Sequence, residues 1–261
     1  MTHTQRSVEF LGCGTSMGVP MIGCSCAVCR SSNPKNQRYR PSVLVRLPAG
    51  NILIDTTPEL RLQLVRAGVG LVHSVLMTHY HADHLFGLDD VRPIPHKLGS
   101  ALPLYCHPDT EAVIRQTFGY AFGPPQTNPQ LVVPRLELCT IPAGPFELLG
   151  ETITPIPLNH NKFHVYGFRF GNLAYCTDVS SIPDASLALL RNLDTLILDC
   201  LRPGTQSHPS HLCLADALAV VELLKPKATY LTHMSHQWDY DAPPPMPSSV
   251  AMAYDGLRID F

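Results

Sequence analysis

Short apolar runs, separated by turn-forming residues, recur along most of the chain. The runs are rich in Val, Ile, Leu, Thr, Tyr and Phe, a composition typical of β-strands. They span residues 8–12, 42–47, 52–55, 75–78, 104–106, 136–141, 152–158, 166–170, 173–176, 195–199 and 229–232. Several are apolar at consecutive positions instead of alternating, which indicates strands covered on both faces.

Helical periodicity interrupts these runs, and it predicts helices over residues 58–67, 109–118, 185–193 and 214–225. In the last of these, apolar residues line one face and Pro226 ends the helix. Because strands outnumber helices and the helices are spread along the chain, we expect a layered α/β sandwich in one domain over residues 1–261. The Pro- and Gly-rich stretch 119–134 is expected to be a surface loop or flap.

The composition of the chain argues against several classes of protein, namely those that bind large nucleic acids, are disordered or span a membrane. Over 261 residues, 19 Lys and Arg against 21 Asp and Glu give a formal net charge of −2, so no basic surplus favours a large nucleic acid. With 45% hydrophobic and 15% charged residues, the chain is not intrinsically disordered. No apolar run approaches the roughly 18 residues of a membrane helix, and no signal-peptide stretch is evident. We therefore expect a cytoplasmic protein with no membrane partner.

The 13 His and 9 Cys are the unusual part of the composition, and without an export signal they indicate metal binding before disulfides. The densest group is His79-Tyr80-His81-Ala82-Asp83-His84, directly after the run 75–78. Imidazole and carboxylate ligands suit a divalent ion, and α/β folds build sites at the carboxyl ends of strands. A polar loop whose histidines only cap their neighbours is the weaker interpretation of such density.

Three further ligand-type residues, His160, Asp178 and His233, come at or just after the ends of later apolar runs. Each alone is more typical of a capping or core residue, and their joint order is what indicates a site. That order resembles the His-x-His-x-Asp-His signature and downstream ligands of the metallo-β-lactamase superfamily. The resemblance implies a four-layer αβ/βα sandwich and two active-site divalent ions, manganese or zinc.

The resemblance also assigns the ligands. One metal would be held by His79, His81 and His160. The other would be held by Asp83, His84 and His233, and Asp178 would bridge the pair.

A second metal site is predicted in the irregular loop at about residues 13–41. Cys24, Cys26 and Cys29 place three thiols in six residues, and thiolates at this spacing select zinc. A closed structural site needs a fourth ligand, and His236, three residues beyond His233, is the candidate. The alternative is that the three Cys merely pack as small apolar residues. A zinc ion here would pin the loop beside the active site.

Other segments resemble one branch of the superfamily, the PhnP-type phosphoribosyl cyclic phosphate phosphodiesterases of the carbon–phosphorus lyase pathway. The similar segments are residues 11–20, the Cys cluster, 87–90 and 232–237. The resemblance implies a structural zinc beside the dinuclear centre and a homodimer. It also assigns His211 as the general acid, although a helix-capping role for His211 stays open.

The predicted reaction is the opening of a small cyclic phosphate by metal-hydroxide attack, with Asp178 positioning both ions and His211 protonating the leaving oxygen. A small phosphodiester is favoured over a large RNA, because the chain lacks the long basic or Gly-rich arm of tRNA 3′-processing nucleases. The same centre could instead hydrolyse a thioester, a lactone or another activated carbonyl. A non-catalytic metal-binding scaffold is the alternative of another class.

Overall fold

The computed structural model describes residues 5–122 and 133–261. Its strands are β1 (Ser7–Gly12), β2 (Ser42–Leu47), β3 (Gly50–Ile54), β4 (Ser74–Leu76), β5 (Leu102–Cys106), β6 (Leu136–Thr140), β7 (Phe146–Leu148), β8 (Glu151–His160), β9 (Phe163–Phe170), β10 (Leu173–Cys176), β11 (Thr195–Asp199), β12 (Ala228–Thr232), β13 (Val250–Met252) and β14 (Arg258–Asp260). The helices are α1 (Leu60–Arg66), α2 (Ala82–Leu85), α3 (Pro93–Leu98), α4 (Pro108–Thr117), α5 (Asp184–Leu189) and α6 (Leu214–Leu224). Short 3-10 turns occur at Pro34–Asn36, Leu88–Val91 and Gly119–Phe122.

Two seven-stranded sheets form the centre of the fold. The strand order is β14-β1-β2-β3-β4-β5-β6 in the first sheet and β13-β12-β11-β10-β9-β8-β7 in the second. Strands β3 to β6 run parallel, as do β10 to β13, whereas the remaining neighbours are antiparallel. Parallel strands bring their carboxyl ends to one edge, so the loops that follow them gather there.

Strand β3 shows how the layers are held together. Ile52 and Ile54 point into the core between the two sheets, and Leu53 points into a second core beneath the helices. That second core includes Leu60 and Leu64 of α1, while apolar residues of α6 join the core on the side of the second sheet. A strand buried on both faces needs apolar residues at every position, as its sequence has. The predicted four-layer sandwich is confirmed.

Most predicted elements agree with the structure to within about four residues. The sequence patterns do not predict the three-residue strands β7, β13 and β14, because a periodicity of two needs a longer run to be seen. They also miss α2, which has one turn, and α3. The first turn of α3 holds Pro93 and Pro95, where no backbone N–H is needed, so proline does not prevent the helix. Within the predicted loop 119–134, residues 123–132 lie outside the described part of the chain.

Hydrogen bonds of the Arg38 and Asp255 side chains anchor the loop at residues 13–41 near its two ends. The Arg38 guanidinium, almost fully buried, donates to the carbonyl oxygens of Trp238 at 2.9 Å and Ser235 at 3.4 Å. The Asp255 carboxylate accepts hydrogen bonds from the backbone N–H groups of Cys13 at 3.0 Å and Tyr39 at 2.8 Å. These contacts hold both ends of the loop against the C-terminal segment.

Among residues 5–122 and 133–261, none of the helices combines the length and the apolar character that crossing a membrane would require.

Replacing Leu44 of β2 with alanine tests the core beneath the helices. Leu44 is fully buried there, so Leu44→Ala is expected to lower the free energy of unfolding by about 2–5 kcal/mol. The matched control is Leu223→Ala on α6, where the side chain is 54% exposed, with an expected loss below about 1 kcal/mol. Urea denaturation followed by circular dichroism measures both. Equal losses would contradict the burial of this face of the first sheet.

Candidate metal centre

Four segments converge at the carboxyl ends of strands from both sheets. The ligand atoms of His79, His81, His160 and Asp178 lie within 4.8 Å of one another. The ligand atoms of Asp83, His84, Asp178 and His233 form a second such group. The structure therefore brings all seven residues together, in the two sets that the sequence predicts. Their role as ligands stays a prediction.

Asp178 lies between the two groups. Its Oδ1 atom is 3.8 Å from Nε2 of His160 and 4.0 Å from Nε2 of His79. Its Oδ2 atom is 3.1 Å from Nε2 of His84, and Oδ1 is 3.4 Å from Nε2 of His233. One carboxylate thus faces imidazoles of both sets, the position that a ligand shared by two ions requires.

Hydrogen bonds fix the tautomers of two of these imidazoles. His160 Nδ1 donates to the carbonyl oxygen of Ser210 at 2.7 Å, and His84 Nδ1 donates to Asp55 Oδ2 at 2.7 Å. A carbonyl or carboxylate oxygen only accepts, so each Nδ1 carries a proton. In the neutral ring, Nε2 is then left with a lone pair that can bind a metal.

The orientation of the His79 ring is fixed by Asp55 indirectly, through the hydroxyl group of Thr78. The Thr78 hydroxyl donates to Asp55 Oδ2 at 2.8 Å, so it accepts from His79 Nδ1 at 3.0 Å. The Thr78 backbone N–H also donates to Asp55 Oδ1 at 2.8 Å. Asp55, which is fully buried, therefore orients His79 and His84 together.

The donor atoms fit a pair of divalent cations. The Nε2 atoms of His79 and His233 are buried without a hydrogen-bond partner. The carboxylates of Asp83 and Asp178 lie among them, also buried. Neutral imidazoles would direct lone pairs at the carboxylates in this arrangement, and cations bound between them would satisfy both kinds of group.

The charges of the cluster stabilise ionised carboxylates, and burial lowers the pKa of His84 while Asp178, Asp83 and Asp55 together hold it well above its usual value. Burial by itself raises the pKa of Asp178, but His233 and His84 hold that pKa well below its usual range. Asp83 behaves in the same way, with His84 lowering its pKa against the effect of burial. Burial lowers the pKa of His79 well below its usual value. The cluster thus favours ionised carboxylates, and His79 is neutral.

The backbone turns sharply where three of the side chains enter the site. Asp55, Asp178 and His233 have φ angles of 66°, 56° and 59°, in the left-handed region. All three come within two residues of the end of a strand. Non-glycine residues adopt this conformation at a cost, and such strain concentrates at functional sites.

Gly87 lets the loop after β4 pack closely against the rest of the site. A Cβ atom at this position would lie 1.8 Å from the carbonyl oxygen of Thr57. The Gly87 N–H donates to the carbonyl oxygen of Thr56 at 2.9 Å. The glycine is needed for this close approach.

His211 lies against the histidine cluster. Its ring stacks on that of His233, with centroids 4.6 Å apart, and its centroid is 4.8 Å from that of His160. Nδ1 of His211 donates to Asp199 Oδ1 at 3.2 Å. Burial lowers the pKa of His211, but the Asp199 carboxylate outweighs burial and raises the pKa to about 9. His211 does not cap α6, which begins after Cys213.

The four residues of the second predicted site also come together. The ligand atoms of Cys24, Cys26, Cys29 and His236 lie within 4.8 Å of one another. Nδ1 of His236 is 3.3 Å from both the Cys24 and Cys26 sulfurs, close to the edge of about 3.5 Å of a tetrahedral zinc site. Hydrogen bonds from the Cys29 backbone and from His236 lower the pKa of Cys26 to about 6, which favours the thiolate.

Two residues of the site are missed by the sequence analysis, Asp55 and Asp199. Each is buried, and each holds a histidine of the cluster or beside it. The available signal was an aspartate at the carboxyl end of an apolar strand, the same signal that identified Asp178. The apolar runs place Asp55 and Asp199 at the last positions of predicted strands, and no motif distinguishes them from ordinary strand-end residues.

Comparison with known proteins places the chain in a family. Residues 50–234 match the family model described as "Beta-lactamase superfamily domain". The match includes the seven clustered His and Asp residues and excludes the Cys and His residues of the second site. A crystal structure of "a New Diphosphatase from the PhnP Family" is similar over 99% of this chain and 98% of its own, with 43% identity and a TM-score of 0.90.

Two curated relatives match over part of their length. An octanoyltransferase of Porphyromonas gingivalis is 34% identical over 253 residues, which are 95% of this chain and 50% of that protein. A ribonuclease Z of a Bradyrhizobium species is 28% identical over 54% of this chain and 46% of its own. The chain thus spans about half the length of the curated relatives it matches. By its family model and its similarity to the diphosphatase, the chain belongs to the metallo-β-lactamase superfamily and, within it, to the PhnP family.

Proposed function

We propose that this protein is a metal-dependent phosphodiesterase that opens a small cyclic phosphate of the phosphoribosyl 1,2-cyclic phosphate type. The observation that carries the proposal is Asp178, which faces two sets of buried imidazoles. Two adjacent ions suit in-line displacement at phosphorus, because the attacking and leaving oxygens both need neutralisation. The similarity to a PhnP-family diphosphatase supports phosphorus as the reacting atom.

The protein's own residues hold the ions and orient the reaction. His79, His81 and His160 would hold one manganese or zinc ion, Asp83, His84 and His233 would hold the other, and Asp178, whose carboxylate belongs to both groups of donors, would contribute to both. Divalent ions there supply a water activated near neutral pH and neutralise charge on the phosphoryl oxygens. Asp55 keeps His79 and His84 in the tautomers that leave Nε2 free.

His211 supplies the proton that the leaving oxygen needs. The Asp199 carboxylate accepts from Nδ1, so the opposite nitrogen, Nε2, is free to donate. The Asp199 carboxylate favours the protonated imidazole, the form that a general acid needs. Asp199 thus acts as a positioning residue for the acid.

Cys24, Cys26, Cys29 and His236 form a structural zinc site under this proposal. The site joins the loop at residues 13–41 to the segment just beyond His233. All four positions would be filled by the protein, so this ion has no open position for a substrate.

A second candidate reaction is hydrolysis of a thioester at the same centre. One observation favours it: the similarity to a protein called octanoyltransferase, because acyl groups are carried as activated carbonyl compounds. That similarity covers only half of the other protein. Phosphodiester hydrolysis is preferred, because the PhnP-family diphosphatase is similar over 98% of its length.

A substrate panel separates the two reactions. The panel contains bis(p-nitrophenyl) phosphate, ribose 1,2-cyclic phosphate, an octanoyl thioester and a lactone, assayed with manganese and with zinc. We expect hydrolysis of the two phosphodiesters and no turnover of the thioester or the lactone. Activity on carbonyl substrates alone would overturn the phosphodiesterase proposal.

Asp178→Ala is expected to abolish both phosphodiester turnover and binding of the two active-site ions. The reason is that this carboxylate is the one side chain common to both groups of donors. Metal content of the purified variant is measured by mass spectrometry beside the rate. The control is Asp184→Ala, an exposed carboxylate at the start of α5, which should change neither. A variant at position 178 with full metal content and normal rate would refute the bridging role.

His211→Ala is expected to slow turnover by about 100-fold or more while both active-site ions are retained, as for the loss of a general acid. The comparison variant is His96→Ala, which removes an exposed imidazole on α3. Rates with bis(p-nitrophenyl) phosphate and metal content are measured for both. An unchanged rate at position 211 would make His211 a structural residue.

A further inference from the structure

A third group of ligand-type side chains is formed by residues that belong to neither of the two sites described above. Ligand atoms of His107, Asp109 and His164 lie within 4.8 Å of one another. His107 caps α4 and Asp109 lies in its first turn, directly after β5 of the first sheet. His164 lies in β9 of the second sheet. The tertiary fold therefore brings two imidazoles and a carboxylate together from both halves of the protein.

The distances within this group are close to those between the ligands of a metal ion. Asp109 Oδ2 is 2.9 Å from Nδ1 of His164 and 3.3 Å from Nδ1 of His107. Ligand atoms that surround a zinc ion tetrahedrally at about 2.0–2.1 Å are about 3.4 Å apart. The two imidazole rings also stack, with centroids 4.6 Å apart. Small movements of the side chains would therefore place all three donors around one ion.

Two acceptor atoms face each other in this group when His107 is neutral. His107 Nδ1 accepts from the backbone N–H of Asp109 at 3.2 Å, so in the neutral ring this nitrogen carries a lone pair. Asp109 Oδ2, at 3.3 Å from it, is also an acceptor, and it already receives a hydrogen bond from His164 Nδ1. That hydrogen bond lowers the pKa of Asp109, which favours the carboxylate. A cation bound between the two acceptors would satisfy both.

We propose that His107, Asp109 and His164 bind a divalent transition-metal ion such as Zn²⁺, in addition to the ions of the two sites described above. Zinc, cobalt and nickel accept imidazole and carboxylate ligands together, whereas magnesium and calcium prefer oxygen ligands alone. The ion takes the position of the proton that lies between His164 Nδ1 and the carboxylate. The neutral His164 ring then carries its proton on Nε2.

This third site is open to solvent. The side chains of His164 and Asp109 are 69% and 53% exposed. Three protein ligands leave at least one position of a tetrahedral ion for water. We therefore expect weaker binding here than at the closed site of three Cys and one His, with an occupancy that follows the zinc concentration.

An ion at this position joins the two sheets beside the hairpin that carries His160. In the register of β8 and β9, His164 pairs with Asn159 and Phe163 pairs with His160. His107 directly follows the last residue of β5. The ion thus ties the hairpin to the first sheet, and its binding does not depend on which ester the protein hydrolyses.

Isothermal titration calorimetry with Zn²⁺ tests the proposal on untagged protein whose two other sites have been filled with zinc beforehand. We expect the wild type to bind one further ion per chain. In His164→Gln this ion should bind at least about 10-fold more weakly, since even the loss of an outer partner of a ligand costs about 10- to 100-fold in affinity. The matched control is His96→Gln, an exposed imidazole on α3, which should bind the further ion as the wild type does.

A second variant and a second measurement keep the test independent of any one substitution. Asp109→Asn preserves the shape of the side chain but removes its charge, and it should weaken binding of the same ion. Added zinc should raise the midpoint of thermal unfolding more in the wild type and in His96→Gln than in either site variant. Equal affinity for the further ion in the wild type and in His164→Gln would overturn the proposal, as would a wild type that binds no further zinc. Failure of the phosphodiesterase assays would leave the third site unaffected.

Discussion

The site depends on one electrostatic constraint: buried carboxylates and imidazole lone pairs face one another at short distances. The pKa values of Asp178 and Asp83 are held well below their usual range by neighbouring histidines, against the effect of burial, and the Nε2 atoms of His79 and His233 have no hydrogen-bond partner. Burying such groups together is unfavourable unless positive charge lies between them. The sequence therefore encodes a buried cluster of imidazoles and carboxylates that bound cations would neutralise.

Residues that surround the cluster hold its imidazole rings in fixed orientations. Asp55 fixes two imidazoles, directly at His84 and through the Thr78 hydroxyl at His79. The carbonyl oxygen of Ser210 fixes His160. Ser210 directly precedes His211, so the same short segment orients a metal ligand and carries the proposed acid. One metal donor, His160, and the proposed acid are thus positioned by the same segment.

Much of this arrangement could be predicted from sequence, for a physical reason. A parallel strand that is buried on both faces has a continuous run of apolar residues in its sequence. Polar side chains that form a site follow at the carboxyl end of such a strand. His79, Asp178 and His233 all follow such runs closely, so their convergence follows from the fold. His236 was predicted by its spacing from His233, and it does lie beside the Cys cluster.

Other parts could not be predicted, because their signals are tertiary. Asp55 and Asp199 differ from an ordinary strand-end aspartate only through the histidines they contact. The strands β13 and β14 lie at the edges of the two sheets, where each pairs with one neighbouring strand. With three residues each, they are too short to show an alternation of apolar and polar positions in the sequence.

Anomalous X-ray scattering from crystals of the metal-loaded protein, recorded at the manganese and zinc edges, tests the central claim most directly. The account predicts two peaks about 3.5–4 Å apart within the His and Asp cluster, with Asp178 between them. It also predicts a separate zinc peak among Cys24, Cys26, Cys29 and His236. A single peak in the cluster, or two peaks that Asp178 does not contact, would contradict it.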